Sequence, residues 1–274
     1  MKLETRFNPA YWSLAPALAA TLHDPAGASL PLIDAAAPCL AWYPRVAIAV
    51  TASSDPGAAA RLGELGAVVT PGGLAGESRR AALTAAGDGW PAWFACDFDR
   101  WLHWALHWPV ELAALPGRIA RLGAGRTPPW YVCLGRTERA LQSHPAVQRL
   151  PETATNHAIS LAAGKPLDAV AGAAWLSAEA RQIVLAASSE ATAAADLEWP
   201  ALILRQAPER VSGIRCEGLE WETPDFHAAG IAAAGGRAAW EQATYDTPAM
   251  WAARLELAAT STAALTRVCG SAGT

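Results

Sequence analysis

The chain has 274 residues, of which 52% are hydrophobic, so it is long enough to bury a large core as one domain or two small ones. Its net charge of −4 gives it no general attraction for nucleic acid or acidic membranes. Five widely spaced cysteines without a C-x-x-C pair argue against a disulfide framework or a cysteine-based zinc site, and they fit a reducing cytosol.

The sequence also argues against targeting segments and internal boundaries. The first 13 residues carry charges among the apolar ones, unlike a signal peptide, and no stretch of about 18 uncharged apolar residues occurs. We therefore expect a cytoplasmic protein without a membrane span, while contact with a membrane surface stays open. Because no repeat or hydrophilic linker divides the chain, we expect a single domain over residues 1–274.

The first predicted elements form a β-α-β unit behind an N-terminal arm. Residues 1–44 are rich in proline and alanine without a clean period, and we interpret them as irregular. The apolar run over residues 45–50 is typical of a parallel strand buried on both faces. A polar loop, a helix that begins at Pro56 and ends near Gly66, and a short strand over residues 67–70 follow.

An acidic pair ends the next strand of the chain. A glycine-rich turn leads into a predicted helix over residues 77–86, and the apolar run over residues 93–96 predicts a buried strand. That strand stops at Asp97 and Asp99, which are separated by one residue. In an extended chain these two side chains point the same way, so both can face one cation. The carboxyl ends of strands in an open α/β sheet are also where ligands bind.

The second half of the chain continues the alternation of helices and strands. A helix after the acidic pair is expected to break at Pro109 because proline disrupts a helix interior. The further predicted elements are helices over residues 111–122, 152–164 and 177–187, strands over residues 130–134 and 212–222, an apolar segment over residues 168–174, a helix after Pro200 and helices from about Arg237. The strand over residues 212–222 alternates like an exposed edge strand.

The order of these elements resembles that of the GT-A glycosyltransferases, the nucleotide-diphospho-sugar transferase superfamily, and of their family 2 in particular. The likeness covers residues 45–222 and consists of the β-α-β unit, the glycine-rich turn, an arginine-bearing helix and the strand that ends in D-x-D. It implies an α/β fold with a Rossmann-like, mostly parallel sheet flanked by helices. It also implies a nucleotide-binding half over residues 45–135, an acceptor half over residues 136–227 and C-terminal helices over residues 228–274.

The resemblance implies a metal-dependent glycosyltransferase that transfers a sugar from a nucleotide-diphosphate sugar to an acceptor that the sequence leaves open. Mg²⁺ or Mn²⁺ would stabilise the departing nucleoside diphosphate. The implied roles are nucleotide binding by Thr51, Ser53, Arg79, Arg80 and Asp97, metal binding by Asp97, Asp99 and His227, and catalysis by Asp196 or Glu198. Because Arg79 and Arg80 are neighbours on a helix, only one of them is expected to face the site.

Two further pairs of residues have both a functional and a structural interpretation. His103 and His107 stand four residues apart, as zinc ligands can, but the sequence pattern shows no third ligand. We therefore favour a surface or supporting role for both. Arg136 and Arg139 follow a strand, and they either contact the acceptor or a phosphate or are surface charges.

Three other classes of protein stay open as alternatives. A GT-A-like fold can serve as a non-catalytic binding module, because a fold alone does not determine activity. A haloacid-dehalogenase-like phosphatase also ends a strand in D-x-D, but its motif opens the domain and continues with Thr or Val where this chain has Arg100. A nucleotidyltransferase would need a glycine-rich basic loop after its first strand, which residues 51–55 lack.

Overall fold

The computed structural model describes residues 15–124 and 127–270, and one mixed sheet runs through them. Its strands are β1 (Ala17–Leu22), β2 (Val46–Thr51), β3 (Val68–Gly72), β4 (Trp93–Asp97), β5 (Tyr131–Arg136), β6 (Ala173–Leu176) and β7 (Val211–Cys216). The strand order is β3-β2-β1-β4-β6-β5-β7. Only β6 pairs antiparallel with its neighbours, so the sheet is mostly parallel, as predicted.

Helices cover both faces of this sheet. They are α1 (Leu30–Leu40), α2 (Pro56–Glu64), α3 (Ala75–Ala85), α4 (Phe98–His107), α5 (Pro109–Leu122), α6 (Glu138–Gln142), α7 (Ala146–Ala163), α8 (Ala178–Ala187), α9 (Ala195–Gln206), α10 (Ala228–Ala233), α11 (Arg237–Tyr245) and α12 (Pro248–Gly270). The long helix α12 packs against α7 and α9. None of the helices in the described ranges is long and apolar enough to cross a membrane.

The central strands are apolar on both faces, which is why the sheet is covered on both sides. Leu18, Ile48 and Phe94 point into one core, together with side chains of α1 and α4. Ala19 and Ala47 point into the other, together with side chains of α3 and α9.

The N-terminal region is not the irregular arm that its composition indicates. β1 pairs with β2 on one side and with β4 on the other, so it lies in the middle of the sheet, and α1 packs against α2 and α4. β1 has the sequence ALAATL, which lacks the β-branched and aromatic residues that usually mark a strand. Its burial comes from the neighbouring strands and helices. Residues 1–14 of the predicted arm lie outside the described residues.

Most other predicted elements match the structure within a few residues, with three differences. The helix predicted after Pro200 begins earlier, so α9 includes Asp196 and Glu198 in its first turn. The edge strand predicted over residues 212–222 lies at the edge of the sheet, but β7 ends at Cys216. The helix predicted over residues 152–164 begins at Ala146.

Candidate functional site

A cleft with a volume of about 470 Å³ lies at the carboxyl ends of β1, β2 and β4. Its lining includes Thr21, Thr51, Ser78, Arg79, Asp97 and Asp99. These residues meet because parallel strands end at the same edge of a sheet, while α3 contributes its first turns to the same place. The position agrees with the one predicted for the acidic pair.

The acidic pair reaches this cleft from two different elements. Asp97 ends β4, whereas Asp99 lies in the first turn of α4, because the chain becomes helical at Phe98. The pair is therefore not held in one extended segment, as the sequence argument assumed. The Thr21 hydroxyl donates a hydrogen bond to Asp97 Oδ1 at 3.0 Å, and the backbone N–H of Arg100 donates to Asp99 Oδ1 at 2.7 Å.

Arg79 connects Asp97 to Asp196. Its Nη2 donates to Asp97 Oδ2 at 2.9 Å, and its Nη1 donates to Asp196 Oδ1 at 2.7 Å. Burial alone would raise the pKa of Asp97, but the charge and hydrogen bonds of Arg79, together with the charge of Arg100 and the hydrogen bond from Thr21, lower that pKa below its usual range. Burial, only partly offset by Arg79, raises the pKa of Asp196 to about 6. Asp97 is therefore ionised at neutral pH, whereas Asp196 gains or loses its proton at a pH close to neutral.

Several carboxylates crowd together beside Asp99. Burial, followed by the charges of Glu222 and Asp97, raises the pKa of Asp99 to about 7. Glu222 Oε2 lies 3.3 Å from Arg100 Nη1, yet this buried oxygen has no hydrogen-bond partner within the described part of the chain. A divalent cation bound here would offset the repulsion and satisfy that oxygen. Because the donors are hard carboxylate oxygens, they fit Mg²⁺ or Mn²⁺.

Gly172, in the turn before β6, lies against the Asp97 carboxylate. Its φ is +68°, a left-handed conformation that glycine adopts without strain. A Cβ at this position would lie 2.5 Å from Asp97 Oδ2 and 3.0 Å from Arg100 Nε. The residue therefore needs to be glycine both for its backbone conformation and for the close approach of two side chains.

A second cavity, with a volume of about 120 Å³, lies on the other side of the Arg79–Asp97 pair. Its charged lining consists of Arg79, Asp97, Arg100, Glu152, Asp196 and Arg254. Asp196 lines this smaller cavity and not the cleft, whereas Arg79 and Asp97 line both. The two spaces thus share one ion pair.

The structure separates the two adjacent arginines of α3. Arg79 faces the cleft, whereas Arg80 Nη1 donates to Ser188 Oγ at 3.1 Å and to the backbone carbonyl oxygen of Glu190. Arg80 therefore holds the loop before α9 and does not line the cleft. Of the two hydroxyls named for nucleotide binding, Thr51 lines the cleft and Ser53 lies beside it, with 3.4 Å between their oxygens.

Glu198 and His227 lie apart from both cavities. Glu198 is 1% exposed, and it accepts hydrogen bonds from the backbone N–H groups of Ser189 and Glu190, both at 3.1 Å. His227 packs against the Trp240 ring, with 5.3 Å between the ring centroids. Neither residue is among those that line the cleft or the smaller cavity.

Arg136, the last residue of β5, and Arg139, in α6, also serve other contacts. Arg136 is fully buried, and its guanidinium pairs with Asp168 at 2.9 Å and with Glu152 at 2.5 Å. Arg139 pairs with Glu217 at 2.7 Å and with Glu220. Both therefore hold the protein chain together, and neither is a free surface charge.

Sequence reasoning missed two residues of the site, Thr21 and Glu222. Thr21 is the one polar side chain of β1, a strand that the sequence pattern did not reveal. Glu222 follows β7 at a distance of more than 100 residues from Asp99, so no local pattern connects the two. A polar residue directly after a buried apolar run was the only available signal for Thr21.

Comparison with known proteins gives structural matches only, since no family model and no curated protein sequence matches the chain. The chain is similar to glucosyl-3-phosphoglycerate synthase from Mycobacterium tuberculosis in complex with phosphoglyceric acid, with a TM-score of 0.56. It is also similar to that enzyme with Mn²⁺, UDP and glucosyl-3-phosphoglycerate (TM-score 0.54) and with Mn²⁺, UDP-glucose and glycerol 3-phosphate (TM-score 0.53). Each comparison covers 93% of this chain and 80% of the other at 14% identity. The chain has a GT-A fold. The resemblance that the sequence indicated is thereby confirmed at the level of the fold.

Proposed function

We propose that the protein is a metal-dependent glycosyltransferase that uses a nucleotide-diphosphate sugar. The main observation in favour is the group of Arg79, Asp97 and Asp99 in a cleft at the strand ends of a GT-A fold, with the buried carboxylate of Glu222 close enough to act on Asp99. Carboxylates alone would repel a diphosphate, but carboxylates that hold a divalent cation attract it. The solved structures of similar fold that contain Mn²⁺ with UDP or UDP-glucose support this assignment.

The nucleotide would occupy the cleft. A volume of about 470 Å³ is within the range of small-molecule sites. We assign Thr51 and Ser53 to the nucleoside side of the cleft, because their hydroxyls lie at the end of β2 and in the loop that follows it. Arg79 and Asp97 mark the opposite side, where the diphosphate would meet the cation.

Asp99 and Glu222, with Asp97 beside them, would hold Mg²⁺ or Mn²⁺. When bound, such a cation stabilises the negative charge of the departing nucleoside diphosphate. Arg79 keeps Asp97 ionised, and Gly172 leaves the space in which the Asp97 carboxylate lies. His227 is not assigned to this site, because its ring packs against Trp240.

The acceptor would occupy the smaller cavity, and Asp196 is the candidate catalytic residue. Its carboxylate lines this cavity and has a pKa of about 6, which suits a group that accepts a proton from a hydroxyl near neutral pH. A carboxylate in this place can also stabilise the positive charge that develops on the sugar ring. Of the two catalytic candidates named from the sequence, the geometry favours Asp196 over Glu198.

A non-catalytic binding module of the same fold is the second candidate. One observation favours it: Arg79 and Thr21 already donate hydrogen bonds to both oxygens of Asp97. If those contacts persist when ligands are present, Asp97 has little capacity left for a cation.

Calorimetric titration with a panel of nucleoside diphosphates, with and without Mn²⁺, tests the proposal. We expect micromolar binding of one nucleotide that requires Mn²⁺ and is lost in Asp99→Asn. The matched control is Asp34→Asn, because Asp34 is a half-exposed carboxylate that pairs with Arg61 at the surface. Metal-dependent binding that survives Asp99→Asn would contradict the assigned site. No binding of any nucleotide by the folded wild-type protein would contradict the transferase and favour the non-catalytic module.

A further inference from the structure

A second cluster of potential metal ligands lies on α4 and outside the cleft. His103 and His107 stand one helical turn apart, with 4.5 Å between their ring centroids. Asp225, in the 3₁₀ helix Thr223–Phe226, reaches both of them. Its Oδ2 lies 2.6 Å from His103 Nδ1 and 3.3 Å from His107 Nε2. One donor atom from each residue thus lies within 4.8 Å of the others.

Glu220 determines which nitrogen of His103 is available. His103 Nε2 lies 3.2 Å from Glu220 Oε1, which also accepts a hydrogen bond from the Trp108 indole at 2.8 Å. Because an ionised carboxylate only accepts, His103 Nε2 must carry a hydrogen. In the neutral imidazole, Nδ1 then directs its lone pair at Asp225 Oδ2. At 2.6 Å the two atoms share a proton in the metal-free protein. A metal ion would replace that proton on Nδ1, and the two atoms would then move apart to about 3.3 Å, the spacing of neighbouring ligands around tetrahedral Zn²⁺.

His107 supplies a third donor atom. A proton shared by His103 and Asp225 joins only that pair, whereas a metal ion would also engage His107 Nε2, which lies 3.3 Å from the same carboxylate oxygen. Two imidazole nitrogens and one carboxylate oxygen form a common donor set for Zn²⁺, with a fourth position left for water. The His107 side chain is 51% exposed, so solvent reaches this cluster. A carboxylate behind a ligating histidine, as Glu220 is here, is also the usual way in which such a ligand is oriented.

We propose that His103, His107 and Asp225 bind a transition-metal ion of the Zn²⁺ type and that Glu220 orients His103. The site differs chemically from the carboxylate cluster at Asp99, since imidazole ligands favour Zn²⁺ over Mg²⁺ and Mn²⁺. The proposal therefore stands or falls independently of the glycosyltransferase proposal.

A metal ion at this site would fasten α4 to the segment that follows β7. Asp99 lies in the first turn of α4, and Glu222 lies between Glu220 and Asp225 in that segment. Because both elements also contribute to the carboxylate cluster, the ion would fix the position of Glu222 relative to Asp99. The site would act as a structural clamp, with its own effect on stability.

The direct test is a titration of chelator-treated protein with Zn²⁺, and with Co²⁺ as a spectroscopic probe. We expect one equivalent to bind per chain, Co²⁺ to show the visible absorption of a low-coordinate site, and Zn²⁺ to raise the Tm. His107→Ala and Asp225→Asn should abolish stoichiometric binding and the rise in Tm. Because the side chain of His107 is half-exposed, we expect His107→Ala to keep the wild-type fold. His157→Ala, which removes an exposed histidine from α7, is the matched control and should behave as wild type.

Two outcomes would overturn the proposal. One is Zn²⁺ binding that is equally strong in wild type and in both ligand variants, which would show that other residues bind the ion. The other is no stoichiometric binding by the folded wild-type protein, which would show that only a proton joins His103 to Asp225. Retention of Zn²⁺ binding by Asp99→Asn would show that the two clusters are separate sites.

Discussion

The substitution Gly172→Ala should displace the carboxylate of Asp97. Alanine at a φ of +68° costs about 1–2 kcal/mol because its Cβ crowds the backbone in the left-handed region. The new Cβ would lie 2.5 Å from Asp97 Oδ2, so the carboxylate must shift by about 1 Å to reach ordinary contact. That shift strains hydrogen bonds from Arg79 and Thr21, and loss of a buried one costs about 1–3 kcal/mol. We therefore expect a total loss of about 2–5 kcal/mol in the free energy of unfolding.

Gly164 offers a matched control for the backbone part of this effect. It ends α7 with a φ of +64°, and no atom lies within 4 Å of the Cβ that alanine would add. Gly164→Ala should therefore cost only the conformational part, about 1–2 kcal/mol. The difference between the two variants measures the contact with Asp97 and Arg100.

Urea unfolding followed by tryptophan fluorescence is a suitable assay, because the chain has 13 tryptophans. Titration of both variants with nucleoside diphosphate and Mn²⁺ provides the functional measurement, in which we expect binding to weaken only in Gly172→Ala. Equal stability and equal binding in the two variants would refute the reasoning, since Asp97 would then not depend on the space that Gly172 leaves.

Further variants test the ion pairs and the pH dependence. Arg79→Met leaves two buried carboxylates unpaired and should lower the free energy of unfolding in urea by about 3–5 kcal/mol. The control Arg80→Met should lower it by about 1 kcal/mol. Equal losses in the two variants would contradict the central place of Arg79. Glu198→Gln should lower stability without changing nucleotide affinity, because Glu198 accepts hydrogen bonds from backbone N–H groups outside both cavities. A weaker nucleotide affinity with unchanged stability would point to a catalytic or binding role. Burial, together with the charges of Arg100 and Arg136, lowers the pKa of His144 to about 2. As the pH falls below about 6.5, the unfolded chain therefore binds a proton at His144 while the folded chain does not. His144 should therefore reduce stability by about 1.4 kcal/mol per pH unit below that value, and unfolding curves of His144→Asn between pH 4 and about 7 should show a smaller slope than wild type.

Local patterns in the sequence were sufficient for much of the fold. The apolar runs that form β2 and β4 and the proline that begins α5 are recognisable because strand burial and helix interruption depend on neighbouring residues. The acidic pair at the end of β4 also predicted the place of the cleft, since a parallel sheet brings its carboxyl ends to one edge. Together with the resemblance to GT-A proteins, these patterns led to the correct fold class.

The composition of the site depended on the tertiary structure. β1 is a strand because β2 and β4 bury it on both sides, and its alanines carry no strand preference of their own. The choice of Arg79 over Arg80 follows from the way α3 packs on the sheet, which turns one face of the helix towards Asp97 and Asp196. Likewise, Asp225 meets His103 across more than 100 residues of sequence. Such contacts are determined by how whole elements pack, and for that reason no window of neighbouring residues contains them.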